Sequence, residues 1–231
     1  THCISSAASD VYKRQAQDPF DHVQAARRQP GSTFKPFVYG AAFANGATPE
    51  DTLMDTAVEI PMGGGRVWRP TDGGPPSDQP MTLADGLALS KNTITAQVMQ
   101  QVGPARVAEV ARALGVRQSK LEEVPSLALG TSPVTLKEMI SAYSSIVNLG
   151  RYVEPVLITS IEDRHGKVLE TFAKSVPEEV FQPRAAQTLR NTMRGAVDRG
   201  TATAIRTRYG IQADVAGKTG TTQDNTDGSV S

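Results

Sequence analysis

Cysteine occurs once, at Cys3, so no disulfide can close within the chain. The three histidines, His2, His22 and His165, are scattered, and none stands at the spacing of a zinc-ligand set. No metal or other cofactor is therefore expected. Aromatic residues make up 5% of the chain, with a single tryptophan, Trp68. No run approaches the roughly 18 apolar residues that cross a bilayer, and nothing reads as a signal peptide. Lys and Arg number 24 and so do Asp and Glu, a balance that argues against a nucleic-acid or anionic-membrane binder, which needs a concentrated positive field. At 231 residues the chain can hold one large domain or two small ones around a proper core.

The most informative stretch is Arg27-Arg28-Gln29-Pro30-Gly31-Ser32-Thr33-Phe34-Lys35-Pro36, a polar turn running into the apolar Phe37-Val38-Tyr39-Gly40-Ala41-Ala42-Phe43-Ala44. Pro30 and Gly31 punctuate, and Ser32 is a good residue to open a helix. Pro36 fits the first helical turn, where it forfeits no hydrogen bond. Lys35 then lies one turn from Ser32 on the same face, so that a hydroxyl faces an amine. A neutral Lys35 could take the Ser32 proton at the positive end of the helix dipole. Ser32 could equally be a plain cap and Lys35 a solvated charge, because Ser-x-x-Lys by itself is a weak signal.

Two further patterns strengthen it: Ser90-Lys91-Asn92, then Lys218-Thr219-Gly220-Thr221. Ser-x-x-Lys, Ser-x-Asn and Lys-Thr-Gly in this order are the motif set of penicillin-binding proteins and serine β-lactamases. Together with Ser126-Leu127-Ala128-Leu129-Gly130-Thr131, Tyr152-Val153-Glu154-Pro155 and Val215-Ala216-Gly217-Lys218-Thr219-Gly220-Thr221-Thr222, residues 16–227 resemble the transpeptidase domain of class A penicillin-binding proteins. The resemblance implies an α+β fold of the penicillin-binding-protein and serine β-lactamase type, a helical subdomain with the remnant of an antiparallel sheet. Residues 1–15 read as a non-native or disordered leader, 16–227 as a partial transpeptidase domain and 228–231 as a truncated tail.

Local patterns place the motifs. Asn45-Gly46 ends the first helix. Residues 52–80, rich in Gly and Pro and with short apolar pieces such as Val58-Glu59-Ile60 and Val67-Trp68, read as irregular structure with one short hairpin. Trp68 either lines a substrate groove or packs on the core. Thr82-Leu83-Ala84-Asp85 matches a capping box opening a helix over 83–89, which puts Ser90-Lys91-Asn92 on a bend before the next helix. A helix from Pro104 to Gly115 carries Val107, Val110, Ala111 and Leu114. Another over 135–149 carries the apolar stripe Leu136, Met139, Ile140, Tyr143 and Val147. Residues 156–161 and 167–172 read as a hairpin with His165 at its tip, and His22 as a surface residue. Pro183 starts a helix carrying Ala186, Leu189, Met193 and Val197. Ala202 stands where the family has glycine and would be costly in a left-handed backbone. The segment from Asp214 to Thr221 begins as a strand.

By resemblance, Ser32 is the nucleophile, Lys35 its base, Ser90 the proton relay to the leaving amine, and Asn92 the holder of substrate amide and Lys35. Lys218 supplies positive potential, Thr219 and Thr221 bind the substrate carboxylate, Gly220 admits the ligand to the backbone, and Trp68 is a candidate groove wall. The implied reaction is D,D-transpeptidation of peptidoglycan stem peptides, with β-lactams as acylating inhibitors, in the periplasm or on the outer face of the bacterial cytoplasmic membrane. Any membrane attachment is expected through an N-terminal anchor outside this chain. The alternatives are a serine β-lactamase or D,D-carboxypeptidase, a phosphate-loop NTPase read from Ala216-Gly217-Lys218-Thr219, and an inactive binding fragment.

Overall fold

The computed structural model of the chain describes residues 21–156, 158–173, 175–221 and 229–230. The expected leader at 1–15, Cys3 included, lies outside the described residues, as do 222–228 and Ser231 of the tail. A two-residue strand β1 (Arg27–Arg28) leads through a 3-10 turn (Gly31–Phe34) into helix α1 (Lys35–Ala44). Four short strands follow, β2 (Thr52–Met54), β3 (Ile60–Gly63), β4 (Arg66–Trp68) and β5 (Pro80–Thr82), and then helices α2 (Leu83–Ala88), α3 (Asn92–Val102) and α4 (Pro104–Leu114). A second 3-10 turn (Pro125–Leu129) and β6 (Val134–Thr135) precede α5 (Leu136–Val147). Next come β7 (Arg151–Tyr152), β8 (Ser160–Glu162), β9 (Val168–Thr171), β10 (Glu178–Glu179), α6 (Pro183–Asp198), α7 (Ala204–Thr207), β11 (Thr219–Gly220) and β12 (Ser229–Val230). Among the described residues the strands form separate antiparallel pairs: β1 with β6, β2 with β5, β3 with β4, β7 with β10, β8 with β9 and β11 with β12.

Helix α1 is the centre. Every residue from Lys35 to Phe43 is buried, so the helix has no solvent face and must be wrapped on all sides. Helices α3, α4 and α6 pack around it. They contribute Ile94, Val98 and Met99, then Val107, Val110, Ala111 and Leu114, then Leu189 and Met193, all buried. Each such aliphatic side chain contributes about 1.5–3 kcal/mol on burial. The stripes expected on α4 and α6 are the buried ones, and Pro104 and Pro183 sit in the first turns of their helices as anticipated. Gly40 lets α6 close on α1, since a Cβ there would stand 3.1 Å from Leu189 Cδ2.

The stripe expected on α5 is only half right. Met139 is buried and Tyr143 partly so, but Leu136, Ile140 and Val147 are 37%, 46% and 62% exposed. The buried face is instead Glu138, Met139, Ser141, Ala142, Ser145 and Ile146. The reason lies at the two ends of the contact with α4. Glu138 completes a capping box with Thr135 and also accepts from the backbone N–H groups of Gln118 and Ser119 and from the Ser119 hydroxyl. Further along, Gly115 packs so close that a Cβ would meet Ala142 N at 2.8 Å, and Ser145 donates to Leu114 O at 2.7 Å. Small residues permit the approach and the polar bonds fix the rotation of the helix.

Other expectations meet mixed outcomes. The hairpin at 156–172 forms, with strands shortened to β8 and β9, and His165 sits in its turn where Asp163 Oδ1 accepts from the His165 N–H. The β3–β4 hairpin forms, but 52–80 also holds β2, whose antiparallel partner β5 is distant in sequence, pairing Thr52 with Thr82 and Met54 with Pro80. Thr82 accepts from Asp85 N as a cap should. Ala202 is buried without a left-handed backbone, so the cost considered for it does not arise. Residues 214–218 form no strand; only Thr219–Gly220 does, because β12 offers two residues to pair with.

Candidate active site

The turn that carries Ser32 is built by close backbone contacts. Gly31 has φ +57°, and a Cβ there would lie 2.5 Å from Thr221 O. Gly130 has φ +68°, and its Cβ would lie 2.3 Å from Gly31 O. Only glycine fits either position. This stack brings β11 and the second 3-10 turn against the start of α1. Ser32 is half-buried between buried neighbours, Gly31 and Thr33. It is no helix cap: the residue at the cap of α1 is Phe34, and among the described residues the Ser32 hydroxyl has no hydrogen-bond partner. The reading of Ser32 as a plain cap therefore fails.

Lys35 is fully buried. Its Nζ donates to Ser90 O at 2.5 Å, to Asn92 Oδ1 at 2.6 Å and to Ser90 Oγ at 3.2 Å. The direct Ser32–Lys35 hydrogen bond suggested by helical spacing is not formed; acceptors from the second motif hold the amine instead. Ser90 can present both its oxygens because its backbone is left-handed, φ +58°. It follows the last residues of α2 in a helix-ending turn in which Lys91 N donates to Gly86 O and Ser90 N to Leu87 O. The bend expected at this motif is that turn.

Lys218 comes from the far end of the chain and is 1% exposed. Its Nζ donates to Ser90 Oγ at 2.8 Å and to Thr219 O at 2.9 Å. One serine hydroxyl thus lies within hydrogen-bonding reach of two ammonium groups. Burial, the positive Lys218 and the nearby Lys91 push the Lys35 amine well below its ordinary value, with Asp72 opposing them. Burial brings Lys218 down to about 8. A lowered amine pKa is what a lysine base requires.

Thr219 pairs its hydroxyl with that of Thr201 at 2.6 Å. Gly220 is buried, while Thr221 is exposed beside Gly31. Trp68 is not joined to the cluster by a hydrogen bond among the described residues; it is partly buried on β4, packed against the hydrophobic core. His22 and His165 stand apart from the cluster, His165 exposed in its turn.

Sequence reading missed the groups behind the second motif. Thr71 O accepts from Asn92 Nδ2 and Asp72 Oδ1 from Asn92 N, both at 2.7 Å. Asp55, fully buried, accepts from Thr93 Oγ1 at 2.6 Å and from Lys91 Nζ at 2.9 Å. All three lie in the Gly- and Pro-rich segment, where no period marks a residue as buried. Burial alone would raise the Asp55 carboxyl, but bonds from Thr93, Lys91 and Ser77 hold it far below the usual carboxylate range. The segment after Lys218 is a strand and not a helix, which removes the phosphate-loop reading.

Comparison with known proteins agrees with this geometry. The chain matches the family model described as the penicillin binding protein transpeptidase domain over residues 5–230. It is 35% identical over 214 residues to penicillin-binding protein 1A of Neisseria meningitidis, covering 90% of this chain and 27% of that protein. It is 33% identical over 231 residues to penicillin-binding protein 1A of Rickettsia conorii, covering 90% and 29%. The chain thus spans under a third of the length of these relatives. Among solved structures, penicillin-binding protein 1A of Haemophilus influenzae superposes with a TM-score of 0.81 at 28% identity, over 90% of this chain and 36% of that one. The imipenem acyl-enzyme complex of penicillin-binding protein A from M. tuberculosis gives 0.74 at 22% identity, covering 96% and 56%, a likeness of fold. The converging lysines, the left-handed serine and the fold all lead to one assignment: the chain belongs to the penicillin binding protein transpeptidase domain family.

Proposed function

We propose that the chain carries the acyl-serine centre of a D,D-transpeptidase that cross-links peptidoglycan stem peptides and is acylated by β-lactams. The observation that carries this reading is the meeting of Lys35 and Lys218 on Ser90 Oγ, with Lys35 opening the helix that follows the Ser32 turn. In this mechanism Lys35, favoured as a neutral amine by its surroundings, takes the Ser32 proton as the oxygen attacks the carbonyl between two D-alanines. The backbone N–H groups of Ser32 and Thr221 receive the developing oxyanion. Ser90 passes a proton to the departing D-alanine amine, and Lys218 holds the positive potential that attracts the substrate carboxylate, with Thr219 and Thr221 as donors. A second stem peptide's amine then takes the acyl group from Ser32. Such chemistry belongs on the outer face of the bacterial cytoplasmic membrane, where peptidoglycan is cross-linked.

A β-lactamase must also hydrolyse the acyl-enzyme quickly, with a carboxylate that activates water. In class A β-lactamases that carboxylate is a Glu in a Glu-x-x-x-Asn pattern; here Glu122 and Glu123 are followed at that spacing by Ser126 and Leu127, on the second 3-10 turn, and Glu123 is engaged at the surface by Arg112 at 3.0 Å. The test is labelling by a fluorescent penicillin. The native chain is expected to take a label that persists through denaturation and Ser32→Ala none. Equal labelling of the two would refute the assignment, and rapid loss of the native label would favour hydrolysis.

A further inference from the structure

The middle residue of the second motif, Lys91, enters a cluster of its own. Its Nζ lies 2.9 Å from Asp55 Oδ2 and 3.4 Å from Asp72 Oδ2. Thr93 Oγ1 bridges the same two carboxylates, at 2.6 Å from Asp55 Oδ1 and 3.2 Å from Asp72 Oδ2. Ser77 closes the far side, its N–H and hydroxyl both 3.0 Å from Asp55 Oδ2. The Asp55 side chain is fully shielded from solvent and that of Asp72 is 14% accessible. Ion pairs this far out of water are rigid, since breaking one strands a buried charge.

The cluster touches the reacting groups through two neighbouring residues. Asp72 Oδ1 takes the N–H of Asn92, the first residue of α3, where a carboxylate also meets the positive end of the helix. Thr71 O takes Asn92 Nδ2 and so leaves Asn92 Oδ1 as the oxygen aimed at the Lys35 amine. A flipped amide would point two N–H groups at an ammonium. The charged neighbours of Lys35 are therefore Lys218, which precedes β11, and Asp72 and Lys91, from the segment before β5 and the N-terminal cap of α3. Ser90 and Asn92 supply its neutral acceptors.

We propose that Asp72 and Lys91, anchored by Asp55, form a charge clasp that fixes the orientation of Asn92 and sets the electrostatic environment of Lys35, which makes Asp72 and Lys91 positioning residues for acylation of Ser32. The proposal rests on the acyl-serine reading and adds to it two opposed charges: Asp72 favours the ammonium form of Lys35 and Lys91 disfavours it.

The test is the pH dependence of Ser32 acylation by a fluorescent penicillin in the native chain, Asp72→Asn and Lys91→Gln. Asp72→Asn keeps an oxygen for the Asn92 N–H but removes the negative charge, so the acid limb should move down by about half a pH unit or more. Lys91→Gln removes a positive charge and should move the same limb up by a similar amount. A role confined to packing would lower the rate at every pH and leave the limb in place. Thermal unfolding identifies a variant that does not fold, and the limb of the other then decides. Limbs that stay put, or move in the same direction, overturn the clasp, whereas a native chain that takes no label at Ser32 overturns the underlying assignment instead.

Discussion

At position 218 an ammonium group is kept from water and placed against the hydroxyl that another lysine already uses. Its lowered pKa, about 8 against 10.5 in the unfolded chain, costs ~3 kcal/mol of stability at neutral pH. The sign follows from proton binding: between pH 8 and about 10 the unfolded chain holds more protons, so stability rises with pH. Lys35 is shifted in the same direction. Above pH 10 the buried Tyr39 and the partly buried Tyr143, both raised chiefly by desolvation, reverse the slope. Lys218→Met is thus expected to unfold at higher temperature than the native chain at pH 7, and to lose most of its penicillin labelling. A melting temperature that falls instead would show that the ammonium contributes more through its hydrogen bonds than it loses by desolvation. A change at Gly31 acts differently: Gly31→Ala puts a methyl 2.5 Å from Thr221 O on a left-handed backbone, with a strain of about 1–2 kcal/mol. Labelling should fall further than stability does, because β11 must move away from Ser32. Residue types and spacing made Ser32, Lys35, Ser90, Asn92 and Lys218 legible in the sequence. Asp55 and Asp72 were not, since a carboxylate in an irregular segment looks the same whether it is solvated or pairs with a partly buried lysine.

Helix α5 is a lesson at the scale of one element. Its apolar residues define one stripe and its capping box defines another, and the capping box wins because Glu138 is already bonded to Gln118, Ser119 and Thr135. Burial alone would raise the Glu138 carboxyl, but these hydrogen bonds hold it below its ordinary value. Its contribution is therefore present above the unfolded carboxylate pKa and is lost as pH falls through the folded one. Glu138→Gln should destabilise by about 1–3 kcal/mol at pH 7, with a gap from the native chain that narrows toward pH 3. Urea unfolding at both pH values checks this, and a gap constant with pH would mean that the charge is irrelevant. Ile140→Gln, on the exposed side, should stay within about 0.5 kcal/mol of native. Helices α1, α4 and α6 were legible because a helical period and a terminal proline agreed. The β2–β5 pair was not, as its two strands are three residues each and meet only through the folded core.

On the scale of the whole molecule, motifs 55 and 128 residues apart from one another along the chain meet at one serine. The helical core makes that possible, because α1 holds Lys35 on its inner face while α2 and α3 hold Ser90 and Asn92 at their junction. The third motif is held by other means. The guanidinium of Arg206 bonds Ile211 O at 2.7 Å and Ala213 O at 2.6 Å while pairing with Asp198, and Arg194 pairs with Asp214. Arg206→Ala is expected to speed amide hydrogen exchange across 209–218 and slow acylation severalfold, with the melting temperature little changed. Unaltered exchange there would show that β11 alone holds Lys218. The helical architecture was legible from periodicity, but this strapping was not, since nothing in an arginine's sequence position says which carbonyls it will reach.

Ser90, finally, occupies a backbone region that glycine enters freely and serine enters at a penalty of roughly 1 kcal/mol. Ser90→Gly relieves that penalty and in the same step removes the oxygen on which both lysines converge. Thermal hardiness and penicillin capture are opposed at that codon, so a variant that improves both must gain its resistance somewhere else in the chain.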